Sequence, residues 1–444
     1  MAASKPTSSA RCTASSSSDG GACSCEAWNP TTVTGAPLDP VEARVTRAER
    51  QGRCGGPPCR LRRSGSYDTA AGGVSPAAAS RLQPRHDGRR AGTGQDGGVS
   101  DDATVPFLID AGGDAGTDPR TFAGGAADIE AAGYDGIFAA ETSHDPFIAL
   151  AAAAMRTERV SLMTGIAVAF ARNPMTVAET ANDLQLVSEG RFILGLGSQI
   201  KPHIEHRFSM PWSAPAARMR EFVAAVRAIW SSWETGERLA FEGEHYRHTL
   251  MTPFFSPGPN PFGTPPIWIA AVGEKMTETA GAVADGVLAH TFTTERYLRE
   301  VTRPALERGA ASAGRDASTL GISIPAFVAV GETDAELAAA IQATKAQIAF
   351  YGSTPAYLPV LALHGWEHVH EKLHAASKRG EWTQMAELVD DDMLRAFSAV
   401  GSPAEVASQL RERFSGLVTR LSFSAGYPIR PEVQAAMLAG LRGE

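Results

Sequence analysis

The sequence predicts a (β/α)8 or TIM barrel with insertions, spanning residues 105–444 and preceded by a disordered segment over residues 1–104. Three observations lead there. From Val105 onward an apolar strand, a helix ending at Gly or Asp-Gly, and a new strand recur as one unit; eight such strands can be counted. They are almost continuously apolar, the pattern of a parallel sheet covered by helices, and eight units argue for closure. Before Thr104 there is no Phe and no Ile, and runs such as SSSSDGG (15–21) and RRAGTGQDGG (89–98) cannot bury enough surface to offset chain entropy.

The first strand is VPFLID (105–110), followed by a helix near 119–132 with Phe122, Ala126 and Ile129 on one face. GIFAA (136–140) comes next, then a helix near 146–155 and the buried strand VSLMTGIAV (160–168). Asn173-Pro174 reads as a helix N-cap with Pro in the first turn, and Val177, Ala181, Leu184 and Val187 keep helical spacing up to Gly190. The remaining strands are RFILGLG (191–197), PIWIAAVG (266–273), GVLAH (286–290), LGISIPAFVAV (320–330) and TRLSFSAG (419–426). Two stretches interrupt the repeat. Residues 198–265 hold a strong helix (Arg218 to Trp233) and a loop rich in Pro and aromatics, and residues 333–411 hold several helices. An open doubly wound sheet is the structural alternative.

With a formal net charge of -8 the chain lacks the positive field that nucleic acid requires. Residues 1–104 carry 13 basic and 10 acidic side chains against 28 and 39 in the remainder, so the acidity belongs to the folding part. No apolar run is long enough to span a bilayer and no leader pattern opens the chain, which makes the cytoplasm the expected compartment. All five cysteines (Cys12, Cys23, Cys25, Cys54, Cys59) fall in the amino-terminal segment, and neither pair has zinc-ribbon spacing. That segment reads either as a regulatory tail or as the product of a start assigned too far upstream.

In a barrel, chemistry sits where strands end and βα loops begin. The polar residues there are Asp110, the Glu141–Asp145 run with His144, Arg172-Asn173, Gly197-Ser198-Gln199 with Lys201 and His203, and His290. Asp145, Asn173 and Ser198 also stand where helix caps are expected. In AAVGEKMTETA (270–280), Gly273 permits close approach to backbone N–H groups at a helix start, a phosphate site by geometry and dipole. His203, His206, His245 and His248 lie in insertions without a converging carboxylate, so no metal site is expected.

IEAAGYDGIFAAETSHDPF, RTERVSLMTGIAVAFARNPMTVAETANDLQLVSEGRFILGLGSQIKPHIEHRF and PPIWIAAVGEKMTETAGAVADGVL resemble the luciferase-like monooxygenase superfamily, in particular its actinobacterial branch dependent on the 5-deazaflavin coenzyme F-420. The resemblance implies a flavin or deazaflavin across the carboxyl-terminal mouth, a non-prolyl cis peptide at Gly165–Ile166 under its ring, and a phosphate loop at Ala271, Val272, Gly273, Glu274, Lys275 and Met276, with the Glu274 side chain turned outward. His144 or Glu141 is the implied proton donor. Asp110 and Asn173 are implied ring or substrate contacts, and Gly197, Ser198 and Gln199 lie at the cofactor rim. The expected function is hydride transfer between F-420 and a small organic substrate. Two readings compete with it: an FMN-dependent two-component monooxygenase fed by a separate flavin reductase, and a non-catalytic flavin-binding protein. A homodimer is expected from relatives.

Overall fold

The computed structural model describes residues 107–112 and 118–444. The amino-terminal segment with its cysteines, and Val105-Pro106 of the first expected strand, lie outside them.

Eight parallel strands form a closed ring: β1 (Leu108–Gly112), β2 (Gly136–Ala139), β3 (Ser161–Thr164), β4 (Phe192–Gly197), β5 (Ile267–Ala271), β6 (Gly286–Ala289), β7 (Gly321–Val330) and β8 (Arg420–Ser424). Each pairs with the next in parallel register, and β8 returns to β1 through Leu108 opposite Arg420. Closure rules out the open sheet and removes every strand edge from the barrel. Beyond the ring, Ser398–Gly401 adds to the outer end of β7. A two-stranded hairpin joins Phe241–Glu242 to Arg247–His248 within the first insertion.

The helices after β2 and β3 start at the caps expected at Asp145 and Asn173, whereas Ser198 caps no helix. In α1 (Pro119–Ala131), α2 (Pro146–Ala154) and α3 (Pro174–Val187), the side chains of Asp118, Asp145 and Asn173 accept from the second backbone N–H beyond, and Pro fills the first turn. The apolar faces close on the barrel: Phe122 and Ala126 from α1 and Val177, Ala181 and Leu184 from α3 are all buried in the main core. After β4 comes α4 (Pro215–Thr235), longer than the expected Arg218–Trp233, with Trp230 fully buried and its indole N–H donating to Ala178 O at 3.1 Å. α5 (Glu274–Val283) follows β5 directly.

Between β7 and β8 the second insertion builds α6 (Asp334–Gly352) and α7 (Glu367–Arg379), with short turns between them. These helices have a core of their own, in which Phe292 and Phe327 from the barrel meet Ile348, Leu361, Leu373 and Phe397. Burial of that cluster fixes the insertion over the β6–β7 side of the barrel mouth.

Among the described residues no helix is long and apolar enough to cross a membrane.

Candidate functional site

Inside the barrel, alternate residues point inward, and Phe138, Met163, Ile193, Trp268 and Leu288 from five consecutive strands form an apolar cluster. The Trp268 ring fits because β6 and β7 both begin with glycine: a Cβ on Gly286 or Gly321 would come within 2.6 or 2.4 Å of the indole. This floor separates the carboxyl-terminal mouth from the amino-terminal half of the barrel.

At the mouth, β3 breaks between Thr164 and Ala167, and the intervening Gly165–Ile166 peptide is cis, as the family resemblance implies. Local hydrogen bonds build the break. The Thr164 hydroxyl donates to Gly195 O (2.7 Å) and accepts from Gly195 N (2.8 Å), replacing ladder bonds, and only glycine fits at 195, where a Cβ would lie 1.9 Å from Thr164 O. Gly165 N donates to Ala139 O and Glu141 N to Ile166 O, so β2 follows the chain around the bend. One carboxylate oxygen of Glu141 accepts from Val168 N at 2.7 Å, and the other meets Arg172 at 3.0 Å. Arg172 also reaches Asp145 at 2.8 Å and lies 5.1 Å from the Phe147 ring centre. Two carboxylates and burial act on Arg172 in opposite senses, and its pKa is raised. Glu141, with only 8% of its side chain exposed, therefore anchors the bend and does not stand free.

On the opposite rim, α5 begins at Gly273 with no side chain capping it, and a Cβ at Gly273 would find no atom within 4 Å. The first N–H groups of α5 thus face open space with the positive end of the helix dipole behind them. Glu274 turns away as expected, its carboxylate held by Arg308 at 2.8 Å. Two buried hydroxyls nearby, Thr291 Oγ1 and Thr293 Oγ1, have no hydrogen-bond partner. Thr293 shares a crevice of about 10 Å³ with Ala271, Val272, His290 and Val360, room for a single water, so a phosphate would approach from the exposed Gly273–Lys275 side. An uncapped helix start, an open glycine and unpartnered hydroxyls above an apolar floor fit a planar ring with a phosphate-bearing tail.

The other expected site residues divide. Gly197 packs on Ile166, where a Cβ would come within 2.7 Å of the side chain, so it shapes the bend from the β4 side. Ser198 and Gln199 follow it at the rim, half-buried, with Gln199 at φ 58°. Ala271, Val272 and Met276 flank Gly273 and are buried or half-buried, while Lys275 is exposed. His144 is exposed beyond β2.

One expectation is corrected. Asp110 does not reach the mouth: it lies opposite Gly136, the first residue of β2, and is buried in a two-pronged pair with Arg420 at 2.8 and 2.6 Å. Burial pushes its pKa up against the pull of Arg420. Asn173 is exposed and spends its side chain capping α3 at 2.9 Å from Met175 N. The Asp110 reading placed a polar strand-end residue at the mouth, whereas strand register puts it lower in the barrel.

Sequence reasoning listed His290 but missed its partners. The His290 ring stacks on Tyr357 (4.7 Å, 27°) and meets Tyr351 edge-on (4.9 Å, 83°), both contributed by the second insertion. The run IAFYGSTPAY (348–357), which holds both tyrosines, shares the family resemblance, but nothing in it assigns them a place beside His290. Among the described residues no three His, Cys, Asp or Glu side chains group as metal ligands.

A closed ring of eight parallel strands with a bent third strand defines a TIM-barrel protein. The family model for luciferase-like monooxygenases matches residues 103–420, and the chain belongs to that family. An uncharacterised protein of Mycobacterium tuberculosis is 58% identical over 293 residues, 66% of this chain and 86% of its own length. The 5,10-methylenetetrahydromethanopterin reductase of Archaeoglobus fulgidus is 29% identical over 286 residues, covering 63% of this chain and 80% of that one. Among solved structures, the coenzyme F-420-dependent tetrahydromethanopterin reductase of Methanopyrus kandleri superposes with a TM-score of 0.61 at 23% identity, over 75% of this chain and 97% of that one. That last likeness bears out the barrel fold.

Proposed function

We propose that the protein is an oxidoreductase that binds the deazaflavin coenzyme F-420 across the barrel mouth and uses it on a small organic substrate. The observation that carries this reading is the uncapped α5 start at open Gly273, facing the same mouth as the bend at Gly165–Ile166. Backbone N–H groups of Gly273, Glu274 and Lys275 would hold the phosphate, with Ala271, Val272 and Met276 shaping the loop around it. Gly165, Ile166 and Gly197 would support the ring from below, with Ser198 and Gln199 at its edge. When bound, a reduced deazaflavin supplies a hydride.

The protein's own contribution is to orient and to exclude water. Phe138, Met163 and Leu288 form a dry floor, and the ion pairs of Arg172 with Glu141 and Asp145 hold the bend in place. His144, exposed above this bend, remains a proposed proton carrier between the mouth and solvent.

Relatives support the choice of coenzyme: the Methanopyrus structure is named for F-420 dependence. The test is anaerobic mixing of the purified protein with reduced F-420 or reduced FMN, followed by air. Binding of reduced F-420 without oxygen consumption supports the proposal. Preferential binding of reduced FMN with oxygen uptake overturns it in favour of a monooxygenase served by a flavin reductase.

A further inference from the structure

His290 continues the inward alternation of Gly286 and Leu288 just past the end of β6, which places it at the mouth beside Val272 of the phosphate loop. Its Nδ1 accepts from Phe292 N at 3.0 Å. A neutral imidazole carries one proton, so Nε2 bears it, and among the described residues the partner of Nε2 is the Tyr357 hydroxyl at 3.1 Å. Tyr357 Oη therefore accepts from His290, and its own proton is free for another acceptor.

The phenol is fixed on several sides. His290 stacks against it, Phe292 lies 5.4 Å away, and Tyr351 packs edge-on at 5.9 Å and 88°. Tyr357 remains half-buried, next to His290, which lines the crevice at the mouth. None of the rings around it carries a charge, so the position suits a neutral acceptor better than a carboxylate or phosphate.

We infer that Tyr357, positioned by His290, donates the proton to the oxygen of a carbonyl substrate, which makes the carbonyl–alcohol pair the substrate class of this site. The inference rests on the coenzyme reading proposed above. The carbonyl carbon gains a C–H bond and two electrons by hydride transfer from reduced F-420, which is oxidised. The C=O π bond breaks, its oxygen takes the Tyr357 proton, and the product is an alcohol. The phenolate left behind is stabilised by the His290 Nε2–H and recovers its proton from water. Burial holds both groups in the required states: the Tyr357 pKa is pushed up to about 12 and that of His290 down to about 4, so the phenol is protonated and the imidazole neutral at working pH.

The test uses the full chain, anaerobically, with reduced F-420 and a panel of aliphatic and aromatic aldehydes and ketones. Wild type, Tyr357→Phe and His290→Gln are compared for coenzyme binding by fluorescence, for thermal midpoint, and for coenzyme oxidation in H2O and D2O. Tyr357→Phe is expected to keep coenzyme affinity, to lower the thermal midpoint modestly because the His290 Nε2–H loses its acceptor, and to lose roughly 10²–10⁴-fold in rate, the range of general acid catalysis. The solvent isotope effect of the wild type is expected to disappear with it. His290→Gln, which retains a side-chain N–H, should lose less. Coenzyme binding without reduction of any carbonyl overturns the substrate class but not the coenzyme reading, and an undiminished rate in Tyr357→Phe overturns the role of Tyr357 as proton donor. Failure of wild type to bind F-420 overturns the coenzyme reading first.

Discussion

Arg420 grips Asp110 with two nitrogens across 310 residues of sequence, tying the last barrel strand to the first. Both side chains are almost wholly buried, 6% and 2% exposed. The pair closes the ring at its amino-terminal half, well below the mouth. Removing one member strands the other charge in the core: Arg420→Met is expected to cost roughly 3–5 kcal/mol. Gly136→Ala should harm the same contact, because its Cβ would lie 2.4 Å from both the Arg420 guanidinium and the Asp110 carboxylate. Denaturant titration checks both, and coenzyme affinity of the fraction that remains folded should be unchanged.

Glu141 is expected to behave as a builder of the site. Glu141→Ala leaves Val168 N–H without its acceptor and Arg172 with Asp145 alone, at about 2–3 kcal/mol of stability, with coenzyme binding weakened because the bend loosens. Glu141→Gln keeps an acceptor for Val168 N–H and should cost about 1 kcal/mol. Were Glu141 instead the proton donor, the Gln variant would be inactive while fully stable and tightly bound to coenzyme. Urea unfolding together with fluorescence titration separates the two outcomes.

His290 makes stability depend on acid. Its folded pKa of about 4 lies below the unfolded value near 6.5, so the unfolded chain binds the extra proton. The contribution of neutral His290 is complete above pH 6.5 and is lost as pH falls towards 4, by about 3 kcal/mol over that window. His290→Gln should flatten this part of the stability profile. Thermal midpoints between pH 4 and 8 measure the slope.

Gly273→Ala separates coenzyme binding from folding. The added methyl meets no atom within 4 Å and φ is an ordinary -98°, so the thermal midpoint should stay put. The methyl would enter the space assigned to phosphate, and F-420 affinity should fall about tenfold or more, equivalent to roughly 1.4 kcal/mol. Equal affinity for wild type and variant would move the phosphate elsewhere.

The barrel was legible because periodicity is a local property. The strand runs, the Asn173-Pro174 and Asp145-Pro146 helix starts and the Gly273 helix start each carry their own signal, and they fall at the ends of the observed elements. The site was legible only in part. Asp110 and Glu141 look alike in sequence, as carboxylates closing apolar strands, yet one pairs low in the barrel with Arg420 and the other holds the β3 bend. Register across strands decides between them, and register is not written in either strand alone. The role of Tyr357 was not legible because it depends on an insertion folding back over β6, which its neighbours Pro355 and Ala356 do not announce.

The central claim is that the mouth between the β3 bend and the α5 start seats F-420. Equilibrium titration of the purified full-length protein with F-420 and, separately, with FMN tests it most directly. Saturable one-to-one binding of F-420, tighter than FMN and weakened by Gly273→Ala, is the result expected; no binding of F-420 at concentrations where FMN saturates would contradict it.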